Sequence, residues 1–345
     1  MIQSEKIGTG RDERRQPLYR LVPLRIPFSV GITVSDFCNF HCQYCEHASE
    51  TGGVKSPKNL SLQAFREIAA QLEEWYALQP QPARTKVLRM WGLGEPLINP
   101  ELPEMIAYAK AHGLADRIEV TTNASLLTEA LSRRLIDAGL TRLIVSIQGM
   151  SEEKYRDICR YPISYPKLMQ NLQYFFEHRK NCKVFIKTVD VAVSSEEEKA
   201  AFYDTFSPVC DTMNIEHIFA AFDDVDYKAI LPEFDGTTRY HYPYQKKEVC
   251  DSLFSLINIQ TNGDVDCCGC KFPPLVIGNL YQKPLKEIWN GNLHRVYMEK
   301  HLTGRFRDLE KCRHCAGMQM NGHPADILDG HQEEILARLE KISHA

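Results

Sequence analysis

Long apolar runs are missing from this chain. No stretch approaches the roughly 18 residues that a membrane-spanning helix needs, so no transmembrane span and no membrane partner are expected. The first residues, MIQSEKIGTGRDERR, carry no secretory signal pattern, which makes the expected compartment cytoplasmic. A surplus of positive charge is missing too: 41 Lys and Arg stand against 45 Asp and Glu, a formal net charge of -4. No basic patch argues for nucleic acid, and the mixed charges near Arg11 to Arg15 read as a solvated N-terminal arm. A dinucleotide fingerprint is also absent, since GLGEPL (92–97) lacks the spacing of G-x-G-x-x-G.

Cysteine is not lacking: there are 12. Such a number suits a disulfide scaffold only in a small secreted chain, whereas 345 residues suffice for one large domain and a smaller one. Here the cysteines cluster by spacing, which favours metal ligation in a reducing compartment. Cys38, Cys42 and Cys45 form CxxxCxxC in SDFCNFHCQYCEHAS. Iron–sulfur clusters are normally tied down by four cysteines. Three in one loop leave one iron of a four-iron, four-sulfur cluster open to a small molecule; a zinc site is the alternative, although zinc more often uses paired CxxC arms. A second group, Cys250, Cys267, Cys268, Cys270, Cys312 and Cys315, lies in the last third, with KCRHC (311–315) supplying a CxxC arm. Zinc held by four cysteines is the alternative there as well. Cys159, Cys182 and Cys210 match no ligand spacing and read as buried small residues.

Between these groups the pattern alternates. Strands are expected at 29–35, 86–92, 117–123, 142–149, 183–193 and 213–221, and helices at 60–78, 100–113, 125–139, about 166–179 and about 195–206, with Ser61 an N-cap. Six strand–helix units predict an α/β fold with a parallel sheet, either open and doubly wound or curled into a partial barrel. The expected domains are an arm (1–27), the α/β unit (28–235), a cysteine-bearing extension (236–316) and a helical tail (317–345).

With Tyr44 just before its last cysteine, the CxxxCxΦC loop resembles the signature of the radical S-adenosylmethionine (SAM) superfamily. The resemblance implies a partial (β/α)6 TIM-like barrel, a SAM-binding cluster held by Cys38, Cys42 and Cys45, and a 5′-deoxyadenosyl radical that abstracts hydrogen from unactivated carbon. It also implies an external electron donor such as flavodoxin or ferredoxin. WGLGEP (91–96) is similar to the family's GGEP motif: Gly92 and Gly94 are expected to admit a ligand close to the backbone, with Glu95 accepting from the methionyl amine. Ser146 and Gln148 stand where relatives show S-x-D-G, and are expected to reach SAM, with Asn123 shaping the same pocket. Arg160 is the expected partner of the SAM carboxylate.

NIQTNGDVDCCGC (258–270) and IGNLYQKPLKEIWNG (277–291) resemble the SPASM/twitch extension of radical SAM enzymes. The resemblance implies one auxiliary four-iron cluster on Cys250, Cys268, Cys312 and Cys315, with Cys267 or Cys270 as substitutes for Cys268. Twitch-type relatives that dehydrogenate aminocyclitols make oxidation or epimerisation of a sugar, aminocyclitol or related hydroxyl compound the expected reaction. Modification of a ribosomally made peptide and a non-catalytic metal scaffold are the alternatives. Glu216, His217, Asp223 and Asp224 are candidate bases. On a strand reaching 193, Lys187 and Asp190 would face opposite sides, so only one would enter the barrel.

Overall fold

Runs of β-branched residues alternate with capped amphipathic segments, and the backbone follows that alternation. The computed structural model describes residues 4–10, 15–48, 54–269 and 274–343. Strands β1 (Ser29–Thr33), β2 (Thr85–Trp91), β3 (Ala115–Thr122), β4 (Arg142–Ser146), β5 (Lys183–Val189) and β6 (Thr212–Glu216) lie side by side in chain order, every pair parallel. Parallel neighbours need crossovers. These are helices α1 (Leu62–Ala77), α2 (Leu102–Ala111), α3 (Glu129–Asp137), α4 (Glu152–Cys159), α5 (Tyr165–His178) and α6 (Glu196–Phe206). Side-chain caps fix several starts: Ser61 accepts from Ala64 N, Thr128 from Leu131 N, and Ser195 and Glu198 form a reciprocal capping box. Ile32, Leu88, Met90, Val120, Val145 and Ile186 pack from the strands against Leu72, Met105, Leu135 and Phe202 from the helices, all of them fully buried. The six strands form an open, partial TIM-like barrel, in which β1 and β6 do not pair with each other.

The sheet does not stop at β1. β7 (Leu256–Ile259) runs parallel along it, pairing Ser29 with Leu256 through to Ile32 with Ile259. The chain then turns back at Gly263, whose φ of 88° favours glycine, into β8 (Asp264–Asp266), antiparallel to β7, and β9 (Val276–Asn279) pairs antiparallel on the outer side of β8. The extension is therefore built on the strand that launches the first cysteine loop.

Every one of the six strands ends earlier than the sequence pattern suggests, the last three by the most, at Ser146, Val189 and Glu216. After Val189 the chain enters a 3-10 turn (Asp190–Ala192), where the Asp190 carboxylate accepts from Val191 N (2.9 Å) and Ile218 N (3.2 Å). Those bonds draw the backbone off the ladder, so strict alternation does not extend from Lys187 to Asp190.

Of the charged stretch read as solvated, residues 11–14 lie outside the described residues; the described parts of the arm are packed. Ile7 forms a bridge with Met213 on β6, Gly8 N donates to Met213 O (3.1 Å), and Lys6 Nζ reaches the Ser207 and Cys210 carbonyls. Leu18 and Val22 are buried, each contributing about 1.5–3 kcal/mol. Arg15 pairs with Asp326, the Tyr19 and His331 rings stack at 3.4 Å, and Arg338 in the tail helix (Gln332–Ser343) donates to the Tyr19 and Arg20 carbonyls. Arm and tail thus pack on each other. Among the described residues, no helix is long and apolar enough to cross a membrane.

Candidate active site

After β1 the chain is held in place before it presents its cysteines. Leu60 N donates to Val34 O and Asp36 N to Lys58 O, while His41 N and Gln43 N donate to the Cys159 and Ile158 carbonyls at the end of α4. Cys42 and Cys45 then close a turn, with Cys45 N to Cys42 O at 2.8 Å. The three thiols lie within electrostatic reach of one another, and Phe40 N donates to Cys38 Sγ at 3.4 Å. Burial pushes Cys38 and Cys45 up to about 12; Cys42 is raised first by a hydrogen bond with Cys159 and then by burial. Cys159 is thus the buried residue expected, and it also touches the loop.

The GLGEP segment locks onto this loop. Glu95 N donates to Phe37 O (2.7 Å), and a Cβ on Gly94 would fall 2.2 Å from Ser35 O. Gly94 therefore makes room for the cysteine loop itself rather than for a ligand. Gly92, with φ of 140°, lines the cavity, but a Cβ there would meet the Thr33 side chain at 2.7 Å. Gly94→Ala is expected to displace residues 35–37 and abolish iron uptake at the first three cysteines, measured as iron per chain after anaerobic reconstitution. Glu95 is buried and turned inward: Oε1 accepts from Leu97 N (2.9 Å) and Thr122 Oγ1 (2.6 Å), and Oε2 from Asn123 N (2.7 Å). These bonds occupy the carboxylate expected to meet a ligand amine, and it does not line the cavity. Asn123 is likewise a turn residue, bonded to Asn39 and Ser125.

A cavity of about 350 Å³ opens at the carboxyl ends of the strands. One wall carries Tyr44, Cys45, Gly92, Ser146 and Gln148. The Tyr44 hydroxyl donates to Gln148 Oε1, and Tyr227 Oη donates to Tyr44 O at 2.9 Å, closing the loop over the cysteines. Arg160 is not there. It occupies the left-handed cap of α4 (φ 50°), exposed and off the lining. Asp223 and Asp224 are exposed as well and do not line the cavity.

At the β5–β6 corner, Lys187, Glu216 and His217 line the cavity together with Arg239, which the sequence reading missed. Glu216 Oε2 receives Lys187 Nζ (2.9 Å) and Arg239 Nε (3.0 Å) and Nη2 (2.5 Å). Burial would raise this carboxyl, but Arg239 and Lys187 outweigh it and hold it down at about 2. A carboxylate so stabilised is a poor proton acceptor at neutral pH, which removes Glu216 from the candidate bases. His217 differs. Its Nδ1 meets Asp190 Oδ2 at 2.8 Å, while Nε2 stands 3.1 Å from Asp235 Oδ2 without the alignment of a hydrogen bond. Of the pair divided by strand alternation, Lys187 enters the cavity and Asp190 stands behind His217.

The extension contributes to the lining as well. Cys268, Asp266, Asn258 and Gln260 line the same cavity. Asp266, also unforeseen, is pushed up to about 6 by burial, against hydrogen bonds from Asn258, Gln260 and Cys268 N. Cys250 lies within electrostatic reach of Cys312, Cys315 and Cys268, and burial raises the Cys250 and Cys268 thiols far above their ordinary range. Leu275 N donates to Cys268 Sγ at 3.0 Å, whereas the Cys267 thiol donates to Leu275 O at 3.8 Å. Cys270 lies outside the described residues.

A model of the radical SAM superfamily matches residues 32–190, and one of the SPASM iron–sulfur cluster-binding domain matches residues 250–316. The chain is a radical SAM protein with a SPASM domain. The AdoMet-dependent heme synthase of Methanosarcina barkeri is 24% identical over 334 residues, spanning 84% of this chain and 90% of its own. Among solved structures, BtrN in complex with AdoMet and 2-DOIA has a TM-score of 0.55 at 14% identity, covering 84% of this chain and 93% of BtrN. Streptococcus suis SuiB bound to precursor peptide SuiA has 0.52 at 15% identity, covering 81% of this chain and 68% of SuiB. At these identities the two structures establish the shared fold.

A radical SAM domain implies a four-iron, four-sulfur cluster with SAM, and a SPASM domain implies auxiliary iron–sulfur. The donor sets fit. Both are sets of partly buried thiols, and at Cys38, Cys45, Cys250 and Cys268 burial favours the neutral form until a cation draws off the proton. Among the described residues, no three His, Cys, Asp or Glu side chains converge as a single ion would require. A cluster needs less convergence, because each cysteine binds an iron of its own.

Proposed function

We propose that this radical SAM protein oxidises or epimerises a small hydroxyl compound, a sugar or aminocyclitol or a relative of one, at a C–H bond. The observation that carries this reading is a single cavity lined by a cysteine from each set, Cys45 from the first and Cys268 from the second. The bound cofactors supply hydrogen-atom abstraction at the first set and an electron acceptor at the second. Tyr44, Gly92, Ser146 and Gln148 would hold SAM near Cys38, Cys42 and Cys45. Cys250, Cys268, Cys312 and Cys315 would hold one auxiliary cluster, with Cys268 preferred over Cys267 because a backbone N–H already points at its sulfur. A volume of about 350 Å³ is near the lower end for a ligand pocket, which favours a small molecule over the peptide that SuiB binds.

Oxidation of an alcohol carbon also releases a proton. His217 faces the cavity, and Asp190 at Nδ1 orients its ring, so His217 is the base we assign and Asp190 its positioning residue. The test is deuterium transfer. Reconstituted enzyme with SAM and carbon-deuterated candidates should place deuterium in 5′-deoxyadenosine, and His217→Gln should keep SAM cleavage while slowing ketone formation by about 10²–10⁴-fold. Equal losses of cleavage and product would remove His217 from the base role.

A further inference from the structure

Resting on the reading that this cavity receives substrate, we infer that the substrate carries an acidic group, a carboxylate or a phosphate, which docks at the Lys187–Glu216–Arg239 corner. The argument begins with a charge count. Among the described residues, two cations and one anion line the cavity at that corner. Asp190 and Asp235 stand by His217, but neither lines the cavity, and Asp235 is half exposed, where solvent and salt screen it. Asp266, the other lining carboxyl, comes from β8 of the extension and is occupied by Asn258, Gln260 and Cys268 N.

Hydrogen-bonding capacity points the same way. An ammonium has three N–H groups. Among the described residues, Lys187 Nζ has one partner, Glu216, so two donors remain for whatever enters. Glu216 also fixes the direction of both cations, pulling Lys187 from β5 and Arg239 from the following loop to one oxygen. Such preorganised, partly desolvated cations suit a planar or tetrahedral oxyanion better than a neutral hydroxyl. SAM carries a carboxylate too. The residues assigned to SAM lie toward β1 to β4, and Lys187 on β5 is in register with one of them, Ser146; but Glu216 at the end of β6, two strands beyond β4 and about 10 Å away at the usual interstrand spacing, holds Lys187 Nζ on its own side.

The test needs no turnover, so its failure would leave the radical reading intact. Inorganic phosphate is titrated calorimetrically into anaerobically reconstituted, SAM-loaded enzyme. Wild type should bind it, Lys187→Gln should weaken binding by about tenfold or more, and Glu216→Gln should tighten it by about tenfold, because one anion has left the corner. Lys187→Gln leaves Arg239 on Glu216, so this arm stands even if Glu216→Gln does not fold, and a misfolded variant would not bind more tightly. Three outcomes overturn the inference: no phosphate binding by the SAM-loaded wild type, binding that ignores Lys187→Gln, or binding that disappears when SAM is added. The last would assign the corner to SAM's own carboxylate.

Discussion

Cys45→Ala should abolish SAM cleavage while leaving about half of the iron in place. Cys45 belongs to the first cysteine set and lines the cavity, whereas Cys250, Cys268, Cys312 and Cys315 lie in a separate element that the substitution does not touch. With two four-iron clusters, reconstituted wild type should carry about eight irons per chain and the variant about four. Visible absorbance should fall in the same proportion, and 5′-deoxyadenosine should become undetectable under dithionite. The converse substitution, Cys312→Ala, should keep dithionite-driven SAM cleavage and lose net oxidation of the hydroxyl compound. If Cys45→Ala retained full iron and cleaved SAM, the assignment of the first set would be wrong.

The second large effect is expected in stability. Arg239→Ala removes two of the three donors on Glu216 Oε2 and leaves a buried carboxylate with Lys187 alone. Breaking a buried pair from one side typically costs about 3–5 kcal/mol. A drop of that size should appear as a lowered urea midpoint of the apo chain. Acid should abolish the difference, and the sign follows from the carboxyl. Its folded value of about 2 lies below the ordinary 4.5, so its contribution is full above 4.5 and is lost as pH falls toward 2. Wild type should therefore lose its advantage over Arg239→Ala between those limits. A gap in midpoints that persisted unchanged at pH 2 would show that Arg239 acts through packing, as over Phe219, rather than through charge.

Much of this was legible in the sequence, and the exceptions share a cause. The cysteine spacings and strand–helix alternation are local signals, and the parallel order of β1 to β6 follows from them. Ser146, Gln148 and Tyr44 reach the cavity because a strand end or a loop beside a cysteine dictates it. Glu95 and Arg160 went astray because their partners or conformations are not local. Thr122 and Asn123 claim the Glu95 carboxylate from the next βα unit, and a left-handed cap turns Arg160 outward. Arg239 was invisible for the same reason: it lies in an irregular loop with no periodicity, and only the buried Glu216, 23 residues earlier, explains its position. Asp266 stood in plain view in DVDCC, overshadowed by the cysteines beside it.

The seam between β1 and β7 sets a limit on how the protein can be dissected. Four residue pairs zip the extension to the first strand, so trimming the chain at residue 235 would bare the flank of β1 along its length. An unprotected flank of that kind recruits other chains. The truncated barrel should accordingly precipitate or self-associate, and the extension is better regarded as the sheet's selvedge than as a detachable module.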